Sequence, residues 1–165
     1  VEGLGFAVPR DLRGALVEAF VEAGRGADLQ LVEHSATCLR RLKDAGVRIG
    51  IVCDVGWTGS PILREHLARH GVLDLFDHWS FSDEVGAYKP SAVIFEHALA
   101  GLGGVAPAVT AHVGDLRRTD IAGARAMGMT AVRFTGVFDD DTQVEPEGHL
   151  VLASHADLPG ALGVD

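Results

Sequence analysis

Apolar residues recur at helical spacing early in the sequence. Leu12, Ala15, Leu16, Ala19, Phe20 and Ala23 share one face after Pro9, and Gly24 and Gly26 are stop signals, so the pattern predicts an amphipathic helix over 10–24. In a second helix Ser35 is placed to cap, Leu39 and Leu42 share a face, Arg40, Arg41 and Lys43 suit the negative end of the helix dipole, and Gly46 terminates. The period then changes. Residues 47–53, Val-Arg-Ile-Gly-Ile-Val-Cys, are a short β-branched run before Asp54, as expected for a strand buried on both faces.

Ser60-Pro61 opens the next helix in the order N-cap then N1 proline, and Leu63, Leu67 and Gly71 complete it. A strand is expected near 79–81, then a helix from Pro90-Ser91 through Ile94, Phe95, Ala98 and Leu102 to Gly103. Residues 109–113 read as a strand, 119–127 as a helix of small residues ending at Gly128, and 129–134 and 149–153 as further strands. Strands alternating with helices imply a doubly wound, mostly parallel, Rossmann-like α/β sheet. In such sheets ligands bind outside the carboxyl ends of the strands. Those ends here are Cys53-Asp54, Ser82-Asp83 leading to Lys89, and Gly114-Asp115 leading to Asp120.

Composition narrows the function class. With 165 residues, 47% hydrophobic, the chain can bury one ordinary core but not two large ones. A net charge of -9 opposes a nucleic-acid or anionic-membrane surface, and Arg40-Arg41 with Lys43 and Arg117-Arg118 are too few to make a basic patch. No apolar run approaches the roughly 18 residues of a membrane span, and Val1-Glu2-Gly3 does not read as a secretory leader, so a soluble cytoplasmic protein is expected. Cys38 and Cys53 form no CxxC pair or zinc-ligand spacing and are expected to be free thiols.

Asp115 follows an apolar strand and Asp120 comes five residues later, so two carboxylates can face one point. Such a pair suits Mg²⁺, a hard cation bound through one or two carboxylates, waters and substrate phosphate. It also suits a plainer role, with Thr119 capping, Asp120 complementing the helix dipole and Asp115 starting a turn. Lys89 bears on the choice. A cation just before a helix start costs about 0.3–1 kcal/mol, which a phosphate held by lysine and helix terminus would remove; a solvated lysine would avoid the cost by swinging away.

Gly86-Ala87-Tyr88-Lys89-Pro90 followed by Ile94-Phe95-Glu96-His97-Ala98-Leu99 resembles the third motif of the haloacid-dehalogenase superfamily. His112-Val113-Gly114-Asp115 through Asp120 to Gly128-Met129 is similar to its fourth, GDxxxxD with a small-residue helix behind. The resemblance runs from about Leu39 onward. It implies a Mg²⁺-dependent hydrolase in which Asp115 and Asp120 hold the metal, while Lys89 neutralises the nucleophile and the transferring phosphoryl group. Catalytic roles would fall to Lys89 and Asp115, and substrate binding to Cys53, Asp54 and Lys89. The family's second motif is a serine or threonine where this chain has Cys53, a weaker donor, which leaves Thr58 or the Asp54 backbone to assist. Residues 1–34 resemble the remnant of a small helical cap, and 35–165 the α/β core.

The family's first motif, a strand ending in Asp-x-Asp that supplies the nucleophile, has no counterpart before residue 47. The sole Asp-x-Asp is in Asp139-Asp140-Asp141, which reads as an acidic surface turn leading into the Pro146-Glu147-Gly148 loop. In the family that strand lies between those ending at Cys53 and Asp115, so its absence leaves backbone groups unpaired, at about 1–3 kcal/mol per buried group. Three outcomes are open: a longer protein carries the strand, the two edges pair with each other, or another chain, including a second copy, donates it. The expected function is a phosphatase acting on a small phosphorylated metabolite through an aspartyl-phosphate, with a non-catalytic phosphate- or partner-binding module as the alternative. A metal-free dehalogenase fits less well, since it leaves Asp115 and Asp120 without that role. His66 and His70 are expected to face solvent, Cys38 to be core, Gly103-Gly104 to end a helix, and Trp57 to contact substrate or pack beneath a cap.

Overall fold

The computed structural model describes residues 8–143 and 146–164, so Val1-Glu2-Gly3 lies outside it. Helix α1 (Arg10–Arg25) precedes α2 (Ser35–Asp44), and β1 (Gly50–Cys53) leads into α3 (Ser60–Arg69). Then come β2 (His78–Phe81), a single turn α4 (Ser82–Val85) and α5 (Ala92–Gly101). β3 (Ala111–Gly114), a π-turn at Arg117–Ile121, α6 (Ala122–Ala126), β4 (Thr130–Phe134), β5 (Leu150–Leu152) and the short α7 (Leu158–Ala161) complete the order.

Every strand pairing is parallel, which makes this an α/β fold as the alternation of periods predicts. The described strands form two ladders rather than one. β1 pairs only with β2, Ile51 opposite Trp79, while β3, β4 and β5 form a second sheet with Val113 opposite Val132 and Arg133 opposite Val151. Among the described residues β1 and β3 do not pair with each other, so one of the three outcomes above is excluded. β1 is shorter than 47–53 and its residues are only half-buried, because just one of its edges carries a neighbour among the described residues.

A shared core nonetheless joins the ladders. Ile94, Phe95 and Leu99 of α5 pack on Ile121, Ala124, Met129 and Ala131, and Val52 of β1 leans on the same cluster. On the other side Cys38 and Leu42 of α2 meet Val132 and Leu158. Gly128, at φ +76°, ends α6 and turns the chain into β4, a conformation that favours glycine. Gly103 and Gly104 do the same after α5.

Several local expectations change. Ser35 does not cap α2; His34 takes that position in the left-handed region, and the Ser35 hydroxyl is buried without a partner among the described residues. Ser60 begins α3 instead of capping it, its N–H donating to Asp83 at 3.0 Å and its hydroxyl to Glu84 at 2.7 Å. His66 is buried rather than solvent-facing, its Nε2 3.0 Å from the Gly24 carbonyl, and His70 Nε2 lies 2.6 Å from that of Leu29. Both histidines tie the segment around α1 to α3, which i, i+4 spacing alone did not show. No helix among the described residues is long and apolar enough to cross a membrane.

Candidate active site

In each parallel ladder the carboxyl ends point one way, and the contact between Lys89, after β2, and Asp120, after β3, brings the ends of the two ladders together. The loop after β1 is fixed first. The Asp54 Oδ1 accepts from the Lys89 N–H at 2.9 Å and the Val55 N–H donates to Ser82 Oγ at 2.9 Å, joining the ends of β1 and β2. Lys89 stands just before Pro90, and Ser91 caps α5 by accepting from Val93 N at 3.4 Å.

The Lys89 side chain, 12% exposed, reaches across to Asp120 with Nζ 2.7 Å from Oδ1. A solvated lysine is therefore excluded. Asp120 is buried, and its carboxylate is fully engaged: Oδ1 also meets His112 Nε2 at 2.9 Å, while Oδ2 accepts from Leu116 N at 3.2 Å and Thr119 Oγ1 at 3.4 Å. Burial pushes this carboxyl up, but the hydrogen bond from His112 and the charge of Lys89 outweigh it and hold it well below the usual carboxylate range. Asp120 thus does more than complement a dipole, and it stands in a π-turn rather than a first α-helical turn. His112 is a partner that the sequence reading missed. Its signal was a polar residue inside a strand, two before Gly114 and so on the same face.

Gly114 is required by close approach. A Cβ there would lie 2.3 Å from Asp120 Cγ, so Gly114→Ala must displace the buried carboxylate. We expect it to cost about 1–3 kcal/mol, read as a lower urea midpoint. An unchanged midpoint would mean that Asp120 is not held against this strand.

Asp115 is half-buried, and its carboxylate makes no hydrogen bond to another described residue. Cys53 is free, and burial pushes its thiol up despite the opposing charge of Lys89, so it is a neutral, weak donor at pH 7. Thr58 faces away toward α1, where a Cβ on Gly24 would lie 3.1 Å from its hydroxyl. Trp57 is 80% exposed and stacks on Phe20 of α1, ring centroids 5.0 Å apart. Asp139-Asp140-Asp141 is not simply a surface turn: Asp140 is buried, and no strand leads directly into the segment.

Among the described residues no three His, Cys, Asp or Glu side chains are grouped to hold a metal ion. Mg²⁺ does not require such a cage, since it keeps waters and binds through one or two carboxylates and substrate phosphate. Asp115, with oxygens engaged by no described residue and following the glycine that packs against the deprotonated Asp120, fits that requirement.

A parallel α/β fold with carboxylates and a nearly buried lysine at the strand ends defines a class, and comparison names the family. The model of the haloacid dehalogenase-like hydrolases matches residues 6–128, and the chain belongs to that family. Glyceraldehyde 3-phosphate phosphatase of Pyrococcus furiosus is 37% identical over 107 residues, 64% of this chain and 42% of that protein. Ribulose-1,5-bisphosphate 5-phosphatase of Halopiger xanaduensis is 36% identical over 107 residues, 65% of this chain and 43% of its own length. The crystal structure of a HAD phosphatase from Thermococcus onnurineus superposes with a TM-score of 0.71 at 28% identity, covering 92% of this chain and 64% of that one. The chain thus spans less than half the length of these two curated relatives.

Proposed function

We propose that this chain is the α/β core of a Mg²⁺-dependent phosphatase acting on a small phosphorylated metabolite, with its nucleophilic aspartate carried on a strand lying between β1 and β3. The observation that carries this reading is the Lys89–Asp120 pair: a cation held nearly buried where the ends of both ladders meet, its carboxylate partner lying against Gly114, the residue before Asp115. The names of the P. furiosus and H. xanaduensis relatives, both phosphatases of small phosphorylated compounds, support the substrate class.

Each residue then has a task. Lys89, fixed at its backbone by Asp54 and at its ammonium by Asp120, would offset charge on the nucleophile and on the phosphoryl oxygens without reorganising. Cys53 would contribute shape more than hydrogen bonding, leaving backbone N–H groups of the loop after β1 to meet the phosphoryl oxygens. Asp115 would hold Mg²⁺ directly, with Asp120, whose Oδ1 also serves Lys89 and His112, completing the acidic edge. When bound, Mg²⁺ supplies positive charge to the transferring group. Residues 1–34, including α1, would be the remnant of a cap over this end, with Phe20 and Trp57 at their junction.

The test is phosphate release by an extended protein that carries the strand. With Mg²⁺ it should release phosphate from sugar phosphates, and Lys89→Ala or Asp115→Asn should each lower the rate by about 10²–10³ with circular dichroism unchanged. Full activity in either variant would refute the assignment, as would an extended protein whose added strand lacks Asp-x-Asp. Turnover of a haloacid without metal would favour the dehalogenase instead. The edges of β1 and β3, which no described strand pairs, favour a second reading, a non-catalytic module that binds phosphate or a strand-donating partner; it requires phosphate binding with no turnover in any extended form.

A further inference from the structure

We infer that Asp140 is a positioning residue for Asp115, which rests on the reading of Asp115 as the metal-holding carboxylate. The two peptide N–H groups that follow Asp115 each end on a buried carboxylate. Leu116 N donates to Asp120 Oδ2 at 3.2 Å, and Arg117 N donates to Asp140 Oδ2 at 2.7 Å. Asp140 is 6% exposed, and its other oxygen accepts from Thr142 N at 3.1 Å. The chain bearing Asp115 therefore leaves β3 and is pinned at two consecutive peptides, one from within its own turn and one from the loop after β4.

That loop is itself anchored. Arg117 Nη1 donates to the Thr142 carbonyl at 2.8 Å and Nη2 to Glu147 Oε2 at 2.7 Å. Glu147 also takes Arg133 Nε at 2.6 Å and Nη2 at 3.0 Å, and Arg133, buried on β4, pairs with Asp139 as well. β4 is the ladder neighbour of β3, Gly114 opposite Arg133. The clamp thus runs from the strand beside Asp115, through Glu147 and Arg117, to Asp140 and back to the peptide two residues after Asp115. Every link is a charge-assisted hydrogen bond or a bond to backbone, the kind that fixes orientation. Groups that orient a metal-holding carboxylate tune affinity without touching the ion.

The experiment uses Mn²⁺ as the probe and the 165-residue chain, with paramagnetic broadening of amide NMR signals as the readout. Wild type should broaden first around Asp115, and Asp115→Asn should weaken this. Asp140→Ala should weaken Mn²⁺ binding about 10-fold, and Asp140→Asn, which keeps an oxygen for Arg117 N, should recover most of it. In an Asp115→Asn background Asp140→Ala should have no further effect, because its path runs through Asp115. If Asp140→Ala does not fold, Glu147→Gln, which loosens the same clamp, should give a smaller loss that also vanishes with Asp115→Asn. Wild-type affinity in the Asp140 and Glu147 variants, or an equal loss in both backgrounds, overturns the inference while sparing the metal site. Binding that Asp115→Asn leaves unchanged overturns the metal assignment and this inference with it.

Discussion

Replacing Asp120 with alanine is expected to destabilise the chain by about 3–5 kcal/mol, the cost of leaving a buried charge without its partner. Lys89 Nζ has one carboxylate within reach among the described residues, and the side chain is too covered to recover full hydration by turning outward. His112 Nε2 and Leu116 N lose the same acceptor. Urea unfolding of the purified chain measures the loss. A change under 1 kcal/mol would show that the pair is already solvated. Lys89→Met combined with Asp120→Leu should recover part of the difference, because an apolar pair leaves no buried charge.

The same carboxylate gives the loss a pH dependence. The folded Asp120 is held well below the ordinary carboxylate pKa, so its contribution is complete above about 4 and fades as pH falls toward the folded value. The gap between wild type and Asp120→Ala should therefore narrow in acid. A gap that widened as pH fell from 7 toward about 4 would mean that Asp120 is protonated in the fold at neutral pH.

Much of this site was legible because its parts are local in sequence. Gly114-Asp115 and Lys89-Pro90 announce strand ends and a helix start, and the change from helical to strand period before Cys53 sets the parallel order. Partners that are distant in sequence were not legible. Asp139-Asp140-Asp141 has the composition of a surface turn, but Arg117 and Arg133, brought over by β3 and β4, engage Asp140 and Asp139 respectively. His66 and His70 have solvent spacing until α1 and the segment after it cover them. Spacing offers Asp120 as a second metal-holding carboxylate, but its bonds to Lys89, His112 and two further donors are partners that spacing does not show.

The largest expected effect is the gain of turnover when a parallel strand ending in Asp-x-Asp is supplied between β1 and β3. Among the described residues both ladders stop there, on strands of four residues each, Gly50–Cys53 and Ala111–Gly114, although Val52 and Ala131 share a core cluster. A short apolar strand would give both edges backbone partners, each new hydrogen bond adding about 0.5–1.5 kcal/mol. Running parallel to its neighbours, it would end level with Cys53 and Gly114, carrying its first aspartate toward Lys89 and Asp115. Hydrogen exchange should therefore slow at residues 51–53 and 111–114 in the extended protein, and phosphate release should appear with Mg²⁺. Changing that first aspartate to asparagine should keep the protection and abolish the release, which separates pairing from chemistry. Fast exchange at both edges in the extended protein would mean that the strand docks elsewhere. Protection without release from the unmodified strand would leave β1 and β3 as a binding edge and favour the non-catalytic module.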